Sequence, residues 1–299
     1  MCPNRIPARR KRKRARRPAI LARARRYPTD CTDLEWALLE PLLPTPACRT
    51  SKGGRPEKHD RRVIVDAIRY LVDNGCKWRA IPADFPPFQT VFGFFSRWAR
   101  AGVLGRIRDQ LRRRIRERMG RPPGAVAVVI DSQSVKGAET VSALTRGYDA
   151  GKRINGRKRH LATDSKGLPV LILVTPANQS DRDAARELLW RLRILHPELT
   201  IAWADSAYNG ALVGWASQFL GLTLNVVAKL PGQSKFVVLP KRWVIERTFG
   251  WLLNARRNAR DYERRPDHSE AHLTWAAITL MTRRLTREQR AQSADRRAA

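Results

Sequence analysis

The stretch VAVVID, residues 126–131, is a run of apolar, mostly β-branched residues that ends in an acid, Asp131. Short apolar runs of this kind are typical of strands that are buried on both faces. A stretch that contains proline and glycine, RPPGA (121–125), precedes it and marks a linker. Two further segments continue the strand pattern: a hairpin around the turn DSKG (164–167), and a second strand ending in an acid, LTIAWAD (199–205).

Helical patterns alternate with the later strands, from a helix that begins at Ser180 or Asp181 to a last helix over residues 272–285. A strand, a hairpin and then alternating helices and strands predict a mixed sheet with helices on its faces. We therefore expect an α/β domain over residues 121–285 and a polar tail over 286–299.

Residues 27–120 have a different texture, with several amphipathic helices and no predicted strand. Thr32 with Glu35 three residues later is typical of a helix N-terminus, and DRRVIVDAIRYLVDNG (60–75) is strongly amphipathic. The helix predicted at 103–120 would present a very basic outer face. We expect an all-α domain with a helix-turn-helix-like arrangement that contacts DNA. A bundle that only packs on the next domain is the alternative.

The chain carries 59 Lys and Arg against 27 Asp and Glu, a formal net charge of +32. Residues 1–26 form a basic leader without an acid, which we expect to be disordered because like charges repel. Most of the excess lies in the rest of the chain. A folded body this basic predicts a polyanionic partner, and nucleic acid fits better than a membrane surface, because no basic segment has a broad apolar face.

No apolar run in the sequence is long enough to span a membrane, and the basic N-terminus lacks the apolar stretch of a secretion signal. The cysteines are scattered and form no CxxC pair: Cys2, Cys31, Cys48 and Cys76. We therefore expect reduced thiols in a cytoplasm and no zinc site.

Asp131 and Asp205 each end a predicted strand. Acids at the carboxyl ends of neighbouring strands open into the crevice where α/β sheets place their sites. A single Asp in this position is more often a turn or cap residue, but two on comparable strands favour a site.

Glu246 is the only acid between Ser206 and Arg260, and apolar residues and arginines surround it in RWVIERTFGWL (242–252). An i,i+4 pair with Arg242 would contribute only about 0.3–0.5 kcal/mol and does not explain the apolar setting. Grouped with Asp131 and Asp205, it would be repelled by roughly 4 kcal/mol per close pair at an effective dielectric near 20. A hard cation that binds oxygen ligands, Mg²⁺ or Mn²⁺, would offset that repulsion.

Several stretches resemble the DDE transposases of bacterial insertion sequences, in the group numbered four-to-five. They occur in order over about residues 27–285 and include CTDLEWALLEPLLP (31–44), IDSQSVK (130–136), GYDAGKRINGRKRHLATDSKGLPVLILVTPANQSD (147–181), ADSAYNG (204–210) and RWVIERTFGWLLNARRNARDYER (242–264). The resemblance implies a ribonuclease H-like catalytic domain. By motif, its triad would be Asp131, Asp205 and Glu246, the three carboxylates already singled out.

The resemblance also implies a function. Such a transposase nicks DNA at the ends of an insertion sequence and transfers the freed strand into target DNA by two-metal phosphodiester chemistry. The expected cofactor is a pair of Mg²⁺ ions, for which Mn²⁺ can substitute. The expected partners are the terminal inverted repeats, the target DNA and a second copy of the chain on DNA, in the cytoplasm of a bacterium and associated with its nucleoid.

Basic residues are the candidates for gripping DNA. In the family, a Tyr, an Arg and a Lys flank the Glu, and Arg242 fits the arginine, whereas Leu239 and Leu253 stand at the other two positions. Arg256 or Arg257 would then substitute for the lysine. The segment KRINGRKRH (152–160) is interpreted as a loop or strand that contacts phosphates, through the basic residues Lys152, Arg153, Arg157, Lys158 and Arg159. A solvated basic face is the alternative.

Four other acids have local interpretations. Asp164 suits the geometry of the DSKG turn, Asp181 and Asp183 suit the dipole at a helix start, and Asp149 fits a local ion pair. Two other functions remain open: a catalytically inactive or repurposed sequence-specific DNA-binding protein, and a metal-dependent nuclease of general repair type, which would not require a specific end sequence.

Overall fold

The computed structural model describes residues 24–51, 53–227 and 242–298. Most of the predicted basic leader lies outside the described residues, and so does Leu239. Among the described residues, no helix has the length and apolarity that a membrane crossing requires.

Helices occur at both ends of the described chain and between the later strands. They are α1 (Asp33–Leu39), α2 (Arg61–Asn74), α3 (Phe88–Arg100), α4 (Val103–Arg118), α5 (Asp181–Leu195), α6 (Ala211–Leu220), α7 (Arg242–Leu253) and α8 (Pro266–Ala298). The strands are β1 (Ala127–Lys136), β2 (Gly147–Asp149), β3 (Ile154–Asp164), β4 (Pro169–Pro176), β5 (Ile201–Asp205) and β6 (Thr223–Val227).

Local sequence explains where the first helices begin and end. The Thr32 hydroxyl accepts a hydrogen bond from the Glu35 backbone N–H, and the Glu35 carboxylate accepts one from the Thr32 backbone N–H, which confirms the predicted capping box. Asp60 caps α2 at its N-terminus, and Gly75 ends α2 in the left-handed conformation at φ 70°.

The strands of the described chain form one sheet. β3 runs antiparallel to β1 and β4, whereas β1, β5 and β6 run parallel to one another. α5 connects β4 to β5, and α6 connects β5 to β6. This is the mixed topology of a ribonuclease H-like fold, and an all-helical region precedes it, as predicted from the sequence.

Three predicted boundaries are wrong. β1 does not end at Asp131 but continues to Lys136, because its second half pairs with β3 from Leu161 to Gly156. The helical pattern over residues 241–257 predicts one helix there, but α7 ends at Leu253 and a separate 3₁₀ turn follows at Arg256–Asn258. The last helix is longer at both ends than predicted, so the expected polar tail is helical over 286–298.

Two apolar clusters cover the two faces of the sheet. On one face, Val128 and Ile130 of β1 pack with the buried side chains of α5 and α6. On the other face, Val129 packs with residues of α7 and α8. The second cluster continues into α2, α3 and α4, so the helical region shares a core with the sheet. The division into two domains at residue 120 therefore stays a prediction.

α4 does not present all its arginines to solvent, which corrects the sequence-based expectation. Arg108, Arg112 and Arg116 recur every four residues and are all buried. Their spacing places them on one helix face, and α4 as a whole packs against α8 and β4. Burial lowers the pKa of Arg112, and the attraction of Asp109 only partly offsets it.

Arg116 connects the helical region to the sheet. Its Nη1 lies 2.8 Å from Oδ2 of Asp164, and both side chains are almost inaccessible to solvent. The other carboxylate oxygen of Asp164 accepts hydrogen bonds from the backbone N–H groups of Lys166 and Leu168. Asp164 therefore shapes the predicted turn and also balances a buried charge.

Replacing one partner of this buried pair should destabilise the protein. Asp164→Asn leaves the Arg116 charge uncompensated, and we expect a loss of about 3 kcal/mol in the free energy of unfolding. Urea denaturation measures it. Glu187→Gln is the control, because it removes an exposed i,i+4 pair with Arg191 that is worth about 0.5 kcal/mol or less. Equal, small losses in both variants would contradict the assignment.

Glu270 of α8 gives a pH-dependent prediction. Burial raises the pKa of its carboxyl from 4.5 to about 7, although Oε1 accepts a hydrogen bond from Val174 N at 2.9 Å. Because the pKa of Glu270 is higher in the folded state than in the unfolded state, protonation of its carboxyl favours folding. This contribution is fully present below pH 4.5 and is lost as the pH rises through 7. Glu270→Gln should remove this loss and raise stability at pH 8 by about 1–3 kcal/mol. Urea denaturation at pH 5 and pH 8 tests it; an unchanged pH slope in the variant would refute it.

Candidate functional site

Asp131 and Asp205 lie at the same level on neighbouring parallel strands. The β1–β5 pairing aligns Val129 with Trp203, and each aspartate follows two residues later. Neighbouring strands are about 4.8 Å apart, so the two residues are close. Because side chains alternate between the faces of a strand, both aspartates share the face of Val129 and Trp203, which is the face that α7 and α8 cover.

Backbone N–H groups orient both carboxylates. Oδ1 of Asp131 accepts a hydrogen bond from Ser132 N at 2.7 Å, and Oδ1 of Asp205 accepts one from Ala207 N at 2.9 Å. Both aspartates are half-buried. The prediction that Asp205 ends its strand is confirmed, because β5 ends there and a 3₁₀ turn over Ser206–Tyr208 begins.

Tyr208 lies buried beside these carboxylates. Burial raises the pKa of its hydroxyl well above 10, and the negative charges of Asp131, Asp181 and Asp205 raise it further. All three carboxylates are therefore near one phenol oxygen. Tyr208 carries no signal in the sequence, and the local pattern indicates only a capping role for Asp181. The position of both residues follows from the pairing of strands, which local pattern does not predict.

Glu246 lies on α7, which packs against β1 and β3 through Val244, Ile245 and Phe249. The Glu246 side chain itself is exposed. Among the residues that the structure describes, no three Asp, Glu, His or Cys side chains are grouped closely enough to hold a metal ion. The structure thus brings Asp131 and Asp205 together and places Glu246 on the helix that covers their face, without joining it to them.

The donor chemistry of the aspartate pair fits a hard divalent cation. Two carboxylates at one level supply oxygen ligands, and the backbone hydrogen bonds already fix one oxygen of each. Mutual repulsion of two close carboxylates costs roughly 4 kcal/mol at an effective dielectric near 20, which a bound cation would offset.

Arg247 and two tryptophans form a stack on α7. The Arg247 guanidinium carbon lies 4.3 Å from the ring centroid of Trp243 and 4.5 Å from that of Trp251. Arg247 also donates a hydrogen bond to the carbonyl of Lys166 in the β3–β4 turn. Both tryptophans therefore contact an arginine, and Trp243 is exposed to solvent at 43%.

The predicted DNA contacts divide into exposed and buried groups. Lys152, Arg153 and Arg256 are exposed and remain available for phosphate. Arg242 begins α7, but its side chain lies outside the part that the structure describes. Arg257 is 8% exposed and binds the Glu263 carboxylate at 2.6 Å.

Arg157 and Arg159 are structural, which corrects their expected role at phosphates. Arg157 is 0% exposed, and its guanidinium donates to the Asp261 carboxylate and the Glu263 carbonyl. Arg159 is 2% exposed, and it donates to the carbonyls of Asn258 and Arg260. Their hydrogen bonds hold the segment after α7 against β3, so neither side chain can reach DNA in this arrangement.

Lys158 is also buried, on the opposite face of β3. Its ammonium lies 3.2 Å from the Asp181 carboxylate and 3.8 Å from that of Asp149. Asp149 accepts a hydrogen bond from the Ser134 hydroxyl, and these attractions outweigh burial and lower its pKa. The predicted ion pair of Asp149 is confirmed, whereas Lys158 is not the surface contact that the sequence suggested.

Two family models match the chain. One, described as "Transposase DDE domain", matches residues 122–282, more than half of the sequence. The chain belongs to the DDE transposase family. The second model, described as "Putative transposase of IS4/5 family", matches residues 31–108, so it covers most of the helical region that precedes the DDE domain.

Two relatives from Burkholderia cepacia are similar to parts of the chain. The "Putative transposase for insertion sequence element IS402" is 30% identical over 125 residues, 40% of this chain and 59% of that protein. The "Insertion element IS402 uncharacterized 16.2 kDa protein" is 30% identical over 83 residues, 27% of this chain and 56% of that protein. The chain thus spans less than two thirds of the length of either relative.

A solved structure was also matched. The "Crystal structure of the Mos1 Strand Transfer Complex" aligns over 79% of this chain and 78% of that chain, at 12% identity and a TM-score of 0.24. A TM-score this low supports no conclusion, so the fold assignment depends on the strand topology and the family match.

The docking of α7 gives a prediction at Gly167. This residue has φ +81°, and a Cβ there would meet Thr248 Oγ1 of α7 at 2.8 Å. Gly167→Ala should push α7 off the β3–β4 turn and speed amide hydrogen exchange across the helix. Gly221→Ala is the matched control, because Gly221 also has positive φ, +58°, but open space around its Cβ. Both should lose about 1 kcal/mol from backbone strain. Equal exchange in α7 of both variants would contradict the contact.

Proposed function

We propose that this family member is an active transposase, which nicks DNA at the ends of an insertion sequence and joins the freed strand to target DNA. The observation that carries the proposal is the pair of aspartates at one level on β1 and β5, on the face that α7 covers. The proposal also draws on the DDE domain match over residues 122–282.

Asp131 and Asp205 would hold divalent metal, Mg²⁺ or Mn²⁺, with Glu246 as the third ligand from α7. When bound, two such ions would supply Lewis-acid stabilisation of the attacking and leaving oxygens. The chain's own part is orientation: the backbone N–H groups of Ser132 and Ala207 each donate a hydrogen bond to one carboxylate oxygen of the two aspartates. The apolar cluster beneath α7 fixes the helix that carries Glu246.

The reaction would have two steps. Water attacks a phosphodiester at the element's end, the P–O bond to the leaving 3′-oxygen breaks, and that oxygen takes a proton. The resulting 3′-hydroxyl then attacks a phosphodiester of the target, loses its proton and displaces a new 3′-oxygen. No covalent bond to the protein forms, so no nucleophilic side chain is required.

Duplex DNA is the proposed partner in both steps. The net charge of +32 favours phosphate binding, and the exposed residues Lys152, Arg153 and Arg256 are the proposed contacts near the sheet. The helical region would bind the terminal inverted repeats. Joining two ends to one target requires two copies of the chain, so a homodimer on DNA, associated with a bacterial nucleoid, is part of the proposal.

Isosteric substitutions test the carboxylates. We expect Asp131→Asn, Asp205→Asn and Glu246→Gln each to slow Mg²⁺-dependent nicking of an end-containing duplex about 10³-fold, since several kcal/mol of transition-state stabilisation is lost. DNA affinity, measured by mobility shift, should change little. Glu187→Gln, an exposed acid on α5, is the control and should keep full activity.

The outcomes separate the alternative functions. Full nicking activity in any of the three variants would refute that residue's assignment. Equal nicking of an unrelated duplex would favour a general nuclease. Specific binding of the ends without any nicking by the unmodified chain would favour a repurposed DNA-binding protein.

A further inference from the structure

A partly buried polar network lies beside Asp131, on the opposite face of β1. Ser132 donates its hydroxyl hydrogen to Oδ1 of Asp181 at 2.7 Å. The same carboxylate oxygen lies 3.2 Å from the ammonium of Lys158, whose side chain is 9% exposed. Lys158 also donates to the carbonyl of Gln179 at 3.0 Å. The network thus links β1, β3 and the start of α5.

Ser132 connects this network to Asp131. Ser132 uses its hydroxyl for Asp181 and its backbone N–H for Oδ1 of Asp131. The hydrogen bond from the Ser132 hydroxyl to Asp181 restricts rotation of the Ser132 peptide plane, and this fixes the direction of the N–H that orients Asp131. Carboxylates and hydroxyls that orient a metal ligand in this way typically change metal affinity about 10–100-fold when they are removed.

Lys158 balances the charge of the Asp181 carboxylate and fixes its orientation. The charge of Asp181 acts on Tyr208 together with those of Asp131 and Asp205, so without a partner it would add to their repulsion or compete as a ligand. The ammonium at 3.2 Å balances the charge of Asp181 and holds it toward Ser132. Ser134, two residues along β1, is held in the same way by Asp149, the second carboxylate near Lys158. A cavity of about 210 Å³ adjoins these side chains.

We propose that Asp181, held by Lys158, is a positioning residue that acts through Ser132 to set the orientation of Asp131 for metal binding. The inference depends on the proposed function, because it requires Asp131 to be a metal ligand. It assigns a role to Lys158 and Asp181 that neither phosphate contact nor helix capping accounts for.

Asp181→Asn is the principal test, with Asp183→Asn as the matched control. Both are acids in the first turn of α5, but within the described part of the chain the Asp183 carboxylate bonds to Ser180, at the helix cap. We expect Asp181→Asn to raise the Mn²⁺ dissociation constant of the full chain about tenfold, measured by water-proton relaxation without DNA. Asp183→Asn should leave it unchanged.

Two further variants make the test specific. Ser132→Ala should weaken Mn²⁺ binding to the same extent as Asp181→Asn. The double variant should bind Mn²⁺ no more weakly than the single variant with the larger loss, because both residues act through one chain of hydrogen bonds. Lys158→Met should also weaken binding. Tighter binding in Lys158→Met would mean that Asp181 is itself a metal ligand once released, and this would overturn the proposal.

The outcomes also separate this inference from the proposed function. If Asp131→Asn abolishes Mn²⁺ binding but Asp181→Asn leaves it unchanged, the positioning role is refuted and the metal site stands. If Asp131→Asn binds Mn²⁺ as the unmodified chain does, both proposals fail. The Mg²⁺ concentration for half-maximal nicking should rise in Asp181→Asn in parallel with the Mn²⁺ dissociation constant; a lower rate at every Mg²⁺ concentration with an unchanged midpoint would contradict positioning.

Discussion

The two-residue period of β1 is the constraint on which the rest of the site depends. Because successive side chains of a strand point to opposite faces, Val129 and Asp131 face α7, whereas Ile130 and Ser132 face α5. A shift of one residue in the pairing with β3 would exchange these faces. Nine aligned residue pairs between β1 and β3 fix the register, so the placement of Asp131 beside Asp205 is a property of the whole sheet.

The high charge of the chain has two different uses. Part of it lies on the surface, at residues such as Lys152 and Arg256, where it can attract phosphate. Another part is internal: Arg116 and Arg157 each form a buried ion pair with an aspartate. A buried ion pair is costly to break because one charge is then left without a partner. Net charge therefore predicts a polyanionic partner as a class, but it cannot indicate which arginines face solvent.

Local signals predicted the elements that local chemistry determines. The capping box at Thr32, the end of α2 at Gly75 and the end of β5 at Asp205 all depend on residues within one turn or strand. The end of β1 could not be predicted in this way, because its polar second half is stabilised only by the ladder to β3, about 25 residues later.

The residues of the candidate site also differ in whether local sequence indicates them. Asp131, Asp205 and Glu246 were identified from their settings in the sequence, and the sheet brings the first two to one level. Lys158 and Asp181 received surface or capping roles, because their contact joins elements 23 residues apart in the chain and no local period indicates it. Burial of β3 on both faces was the missing information, since RKRH gives no sign of an interior strand.

β3 supports both parts of the proposed site, through its two faces. Arg157 and Arg159 point to the α7 side and bind the backbone between Asn258 and Arg264, which is the segment that follows the Glu246 helix. Lys158, between them in sequence, points to the α5 side and holds the network behind Asp131. One basic strand thus anchors the segment after α7 on one face and the neighbour of Asp131 on the other. An arginine or lysine is suited to this task because one long side chain can satisfy several carbonyl and carboxylate oxygens at once. The run of basic residues that suggests a DNA contact is better explained here as the internal support of an acidic site.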